Sequence, residues 1–359
     1  MKEIQQTIET ILNQAVEKGQ ELGIQVAAYH RGELVVDAWA GIADRCTGRA
    51  VDGATLFPVF SATKGVAATV IHILAEQGKL DYDMRIGEIW PEFGVNGKER
   101  ATIRHALNHT AGIPQHPAET ELEALADWDG MCSKIAELVP VSPPGERMEY
   151  HAVTFGWIIG EIAQRVDGRS FSRIMEEEIC RPLGIRDMYI GLPEELEPRV
   201  AELEEPEARP PGDERQLLSM PAWVWPPHAI MNRPEARRVC LPSGTGIMSA
   251  KALARHYAAL LPGGVEGVQL LSPARVKIAT EPLRLGGASP LPMGMGYQLG
   301  GSGTVMEPRL SVFGHEGYGG SIGFADPENR LAVGLTHNLF SPRKAASSIL
   351  DAIKRELLQ

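Results

Sequence analysis

The sequence predicts a fold in two parts: an α/β part whose sheet is built from both ends of the chain, and a mainly helical part inserted between them. Three observations carry this. Segments of strand character gather near residues 24–40 and again within 294–300 and 309–337. The chain between them reads mostly as helix. Amphipathic helices are expected at both termini, and each offers an apolar face for a sheet to bury. With 359 residues there is room for two domains or one large one. The expected division is 1–60 with 240–359 for the sheet domain, and 61–239 for the helical domain.

The first helix is expected over 3–21, with Ile4, Ile8, Ile11, Leu12 and Val16 on one side. Strands at 24–30 and 33–40 flank Arg31-Gly32, a short glycine turn that suits a hairpin. A helix opens around Ser61, an N-cap type of residue, with Val66, Val70, Ile73 and Leu74 at helical spacing behind it. Gly78 is placed to end it. Residues 79–90 read as loop with a short helix. A short helix is expected over 102–112, capped by Thr102 and ended by Gly112. Residues 119–139 are helical in character, and a helix over 154–166 turns Phe155, Ile158, Ile159 and Ile162 inward. A further helix follows at 170–179.

Residues 190–235 differ from the rest, being rich in glutamate and proline before Trp223 and Trp225. Such a segment is either a surface excursion or the wall of a binding site. Glu194 to Glu207 read most simply as a solvated face. The two tryptophans are ill suited to water. A structural role for them stands beside the sharper expectation that they line the acyl or alcohol side of a substrate cleft. Ser249 caps a helix through about residue 261, Asp326 to Asn329 form the turn between the last two strands, and a helix over 343–357 closes the chain.

Composition narrows the functions available. A net charge of -11 with no basic run argues against nucleic acid and anionic membranes as partners. The four cysteines are far apart and form no C-x-x-C pair. No apolar run reaches membrane-spanning length, and the first twenty residues carry no signal-peptide core, so a cytoplasmic location is expected. A homo-oligomer is compatible with the sequence.

The chemistry gathers at Ser61 and Lys64. Three residues apart on a helix, they share a face. A serine hydroxyl needs a base, and a lysine serves as one only when its pKa is lowered, by burial or by the positive end of a helix. The plain alternative is a capping serine followed by a surface lysine. A second pair, His105 and His109, has the spacing of zinc ligands, with His116 as a third, but Ala106 stands where a metalloprotease carries its glutamate. No metal or organic cofactor is expected.

Further residues extend the first pattern. Ser61-Ala62-Thr63-Lys64, then Tyr150 after Pro143-Pro144-Gly145-Glu146, then Gly314-His315-Glu316-Gly317 on a late strand, resemble in order the motifs of the serine β-lactamase and penicillin-binding protein superfamily. Residues 107–113, LNHTAGI, resemble that group's L-T-H-T-S-G-L stretch, and 326–338 resembles its last hairpin. The likeness runs from about residue 20 to 350 and is nearest to the class C-like branch, in particular the family VIII carboxylesterases. It implies an antiparallel sheet with an inserted all-α domain. It also implies Ser61 as nucleophile, with Lys64 and Tyr150 sharing the base role. The oxyanion would rest on the main-chain N–H groups of Ser61 and Tyr318, and His315 and Gly317 would lie at the substrate.

Two departures from the motifs bear on the substrate. Tyr150-His151-Ala152 lacks the asparagine of Y-x-N, and His315-Glu316-Gly317 lacks the lysine of K-T-G. The resemblance therefore implies a hydrolase of short-chain carboxylic esters acting through an acyl-serine, with a small-molecule ester as its partner. A β-lactamase or D-amino acid peptidase, and a non-catalytic sensor that acylates and stalls, are the alternatives.

Overall fold

In the computed structural model the terminal segments build one sheet, as the fold class requires. The structure describes residues 2–358 apart from 119, 208–213, 286–291, 302–304 and 341–343. The strands of this sheet are β1 (Gly23–His30), β2 (Glu33–Asp44), β3 (Arg49–Ala50), β7 (Gln298–Leu299), β8 (Phe313–Glu316), β9 (Ile322–Asp326) and β10 (Leu331–His337). Their order is β3-β2-β1-β10-β9-β8-β7, with every neighbouring pair antiparallel. The two ends of the chain meet at the β1–β10 pair, where Val26 stands opposite Leu335. Arg31 and Gly32 both take positive φ, 54° and 82°, the geometry that a two-residue hairpin needs to follow the strand twist.

Helices cover both faces. On one face lie α1 (Lys2–Glu17) and the C-terminal helix Lys344–Leu357. Ile4, Ile8, Leu12, Ile349 and Ile353 pack there against Val26, Val333 and Leu335. On the other face the helix Ala250–Ala258 crosses β10, started by Ser249, whose hydroxyl accepts from the Ala252 N–H. It comes close enough that a Cβ on Gly334 would sit 2.1 Å from the Ala250 carbonyl oxygen, so only glycine fits. Beneath it α2 (Thr63–Glu76) runs through the largest apolar cluster and packs on the helix Thr154–Asp167. Thr63 to Ala75 are all buried, so α2 is a core helix with no solvent face.

Several expectations are corrected in detail. Ser61 is not an N-cap: it lies in a 3₁₀ turn, Phe60–Ala62, and α2 begins at Thr63 without a side-chain cap. The helix at Thr102 does form a capping box with His105, but it ends at Leu107, five residues before Gly112. The helix expected over 170–179 is Phe171–Met175 followed by a π-turn, Glu176–Cys180. The late strand region is shorter and more broken than its composition suggests. Residue 343, expected to open the last helix, lies outside the described residues, as does 208–213 of the proline-rich segment.

Glu194 to Glu207 is not wholly a solvated face. The Glu205 side chain is only 2% exposed, and Glu197 is largely buried against Arg237 at 2.9 Å. A small second sheet, absent from the sequence reading, joins β4 (Phe57–Pro58), β6 (Gly246–Met248) and β5 (Met188–Ile190). It ties the segment before Ser61 to two distant parts of the chain.

Candidate active site

The turn that carries Ser61 is locked from three sides. The Val59 N–H donates to the Gly246 carbonyl at 2.9 Å, and the Thr63 hydroxyl donates to the Phe60 carbonyl at 2.5 Å while accepting from the Gly246 N–H at 3.0 Å. Phe60 has φ +47°, the left-handed region that a residue with a Cβ rarely enters. Its ring is held edge-on by Tyr318 at 5.8 Å and Phe340 at 5.7 Å, contacts that offset the backbone strain. On the open side Gly317, just beyond β8, lies against the turn. A Cβ there would meet the Val59 carbonyl oxygen at 2.0 Å.

Lys64 lies in the first turn of α2 and is fully buried. Its Nζ stands 3.1 Å from Ser61 Oγ and 2.8 Å from each of the Ala152 and Ser243 carbonyl oxygens. Burial pushes its pKa well below that of an ordinary lysine, and its place at the positive end of a helix acts in the same direction. A neutral amine has two hydrogens and one lone pair. With both hydrogens donated to the two carbonyls, the lone pair is left for the Ser61 hydroxyl.

Tyr150 completes the group. Lys64 Nζ lies 4.9 Å over its ring. Burial raises the phenol pKa above its usual value, and a hydrogen bond with Ser61 opposes the shift. The ring is half-buried because it also lines a cavity. Beneath it lies His109, with ring centroids 4.6 Å apart. His109 accepts at Nδ1 from the His151 N–H, and burial holds it neutral. His151 is pinned between the Glu149 carbonyl and the Ile113 N–H, with its pKa lowered by burial to about 4.

The remaining residues of the sequence reading are placed as follows. Gly317, Tyr318 and Trp223 line the cavity beside Ser61 and Tyr150. Trp225 and His315 are not on that wall. Trp225 stands edge-on to Tyr318 at 5.9 Å. His315 is fully buried beside Tyr150, at 6.3 Å between ring centroids, with Nδ1 on the Glu316 carbonyl and Nε2 without a partner among the described residues; burial lowers its pKa to about 3. His105 and His109 do not share a helical face, because the helix ends at Leu107 and His109 has φ +58°. His105 Nδ1 caps its own helix, and His116 Nδ1 faces Thr120, so the zinc spacing dissolves into separate local roles.

The cavity measures about 340 Å³. Leu122, Leu125, Trp223, Ile230, Met231 and Leu241 supply much of its wall, and Glu316 is its one carboxylate among the described residues. Neither Lys nor Arg is among the described residues that line it.

The sequence profile of the family described as Beta-lactamase matches residues 8–356. The chain belongs to the beta-lactamase family. Esterase/beta-lactamase LipL of Mycobacterium tuberculosis is 35% identical over 346 residues, covering 89% of this chain and 78% of that protein. A family VIII carboxylesterase superposes with a TM-score of 0.89 at 31% identity, covering 98% of this chain and 97% of the other. A penicillin-binding protein homologue from Caulobacter crescentus gives 0.88 at 34% identity, over 99% and 98%. These likenesses support a serine hydrolase on a beta-lactamase fold. Parts of this arrangement escaped the sequence reading. The carbonyls of Ala152 and Ser243 act through the main chain, which leaves no signal in residue type. Glu205, which accepts from the Tyr318 hydroxyl at 3.1 Å and pairs with His228 at 2.9 Å, was hidden in an acidic run.

Proposed function

We propose that this protein hydrolyses carboxylic esters, acetates and butyrates among them, through an acyl-serine intermediate. The observation that supports it most directly is the buried Lys64, with its hydrogens on two carbonyls and its nitrogen 3.1 Å from Ser61 Oγ. Ser61 attacks the ester carbonyl and its proton passes to Lys64. The oxyanion is received by the main-chain N–H groups of Ser61 and Tyr318. The proton then goes to the leaving alcohol by way of Tyr150, and water deacylates the serine with the same groups acting in reverse. The pKa directions favour a neutral lysine as base over a tyrosinate, since burial disfavours the charged form of both groups.

The cavity supports an ester over a lactam. A β-lactam or D-alanyl peptide presents a carboxylate, and no cation lines the described wall. At the position of the amide clamp stands Ala152, whose carbonyl is engaged by Lys64. Losing one charge-assisted hydrogen bond costs about 1.5–3 kcal/mol, roughly tenfold or more in recognition. The test compares kcat/KM for p-nitrophenyl butyrate and nitrocefin in the wild type and in Ser61→Ala, with intact mass spectra under both substrates. The ester should lead by well over tenfold, and the variant should be inactive on both. Nitrocefin turnover equal to the ester would replace this reading with a β-lactamase, and a persistent adduct on Ser61 without turnover would replace it with a sensor.

A further inference from the structure

We propose that the ester this site is built for is uncharged and carries an apolar substituent longer than butyryl, a medium-chain or aryl group seated between Leu122 and Leu125 on one segment and Trp223, Ile230 and Met231 on another. This rests on the ester reading above and shifts the expected chain length upward from the acetates and butyrates that the motifs suggest.

The first argument is volume. The cavity holds about 340 Å³. A methylene takes up about as much room as a water molecule, roughly 30 Å³, so a four-carbon acyl group fills only about a third of the space. Eight to ten carbons, or an aryl ring with a short tether, would fill most of it. Leu122 and Met231 are each 5% exposed, line the cavity and belong to the main apolar cluster. A group that leaves the space unfilled forfeits dispersion contacts with those walls. Each methylene moved from water to such a surface is worth about a fourfold gain in binding.

The second argument is charge. Among the described residues the wall carries the Glu316 carboxylate and neither Lys nor Arg. Lys64 is no counter-ion, because it is fully buried behind Ser61 and its hydrogens serve Ala152 and Ser243. An anionic group on the substituent would lose its water with no cation on the described wall to receive it.

The substituent can belong to the acyl or the alcohol side, so both series are measured below micellar concentrations. One series is p-nitrophenyl esters from acetate to dodecanoate, and the other is n-alkyl acetates. The mono-p-nitrophenyl ester of suberic acid is compared with p-nitrophenyl octanoate, of equal length but uncharged. In one of the two series kcat/KM should climb about fourfold per methylene past four carbons and peak near eight to ten. The anionic hemiester should fall at least 100-fold below the octanoate. Ile230→Trp should move the peak to four carbons or fewer. If that variant does not fold, Ala236→Leu, on the same wall, serves the same test. A peak at two to four carbons in both series, or equal rates for hemiester and octanoate, overturns the proposal. If Ser61-dependent turnover of acetate and butyrate persists in that case, only this inference fails. If the wild type cleaves no ester at all, the ester reading itself fails.

Discussion

Replacing Gly317 by alanine tests how tightly the turn that carries Ser61, the proposed nucleophile, depends on its neighbour. The added Cβ would lie 2.0 Å from the Val59 carbonyl oxygen and 3.4 Å from the Ala62 nitrogen. A carbon and a carbonyl oxygen approach to about 3.3 Å, so the shortfall against the 2.0 Å contact is about 1.3 Å. Neither side yields easily, because the Val59 N–H is tied to Gly246 and the Gly317 N–H to the Ser321 carbonyl at 2.7 Å. Main chain carrying Ser61 or Tyr318 must therefore move by about an ångström. A misplacement of that size costs on the order of 100-fold in rate, while overpacking costs about 1–3 kcal/mol of stability. The assay is kcat and KM on p-nitrophenyl butyrate, alongside circular dichroism and a melting curve. The expected result is kcat/KM down about 100-fold in a folded protein. A variant within threefold of wild type would refute the claim that this contact sets the geometry of the site.

Ser61→Ala should lower kcat at least about 10³-fold with little change in Tm, because Ser61 caps no helix. Lys64 binds its proton less readily in the folded chain than in the unfolded one. Stability should therefore rise with pH from its lowered value up to the free-lysine pKa of about 10.4, and urea titrations of Lys64→Met should lose that slope. His315, with a pKa of about 3, is neutral throughout the working range, so the acid limb of the kcat/KM–pH profile should be unchanged in His315→Gln; a shifted limb would assign it to the imidazole. Tyr318→Phe should cost about 1.5–3 kcal/mol, read by urea titration, by depriving the buried Glu205 of a donor, yet leave kcat within about threefold because the oxyanion donor proposed at that residue is its main-chain N–H.

The fold class could be read from the two clusters of strand-like sequence: β1 and β10, covered by helices on both faces, are largely apolar runs, and β2 mixes buried with exposed positions. The strands of the second sheet are two or three residues each and show no period, so β4, β5 and β6 left no trace. Ser61 and Lys64 were visible as a pair because their contact is local, and they meet at 3.1 Å. The reason given for a helix beginning at Ser61 did not hold, since tertiary bonds to Gly246, rather than a cap, shape that turn. His105 and His109 misled in the opposite way, because spacing speaks only where the helix continues. Glu205 and Glu197 show the limit of reading charge runs: two carboxylates of an acidic stretch turn inward, one to Tyr318 and His228 and the other to Arg237.

The two carbonyls that hold Lys64 belong to residues 88 and 179 positions further along the chain. During synthesis the serine and the lysine leave the ribosome together, but the groups that take up the amine hydrogens arrive much later. Until Ser243 has been made and folded into place, Lys64 is an ordinary hydrated ammonium and Ser61 an ordinary alcohol. On the reading proposed above, a nascent or truncated chain would hold the serine and the lysine without the two carbonyls and the burial that lower the lysine's pKa.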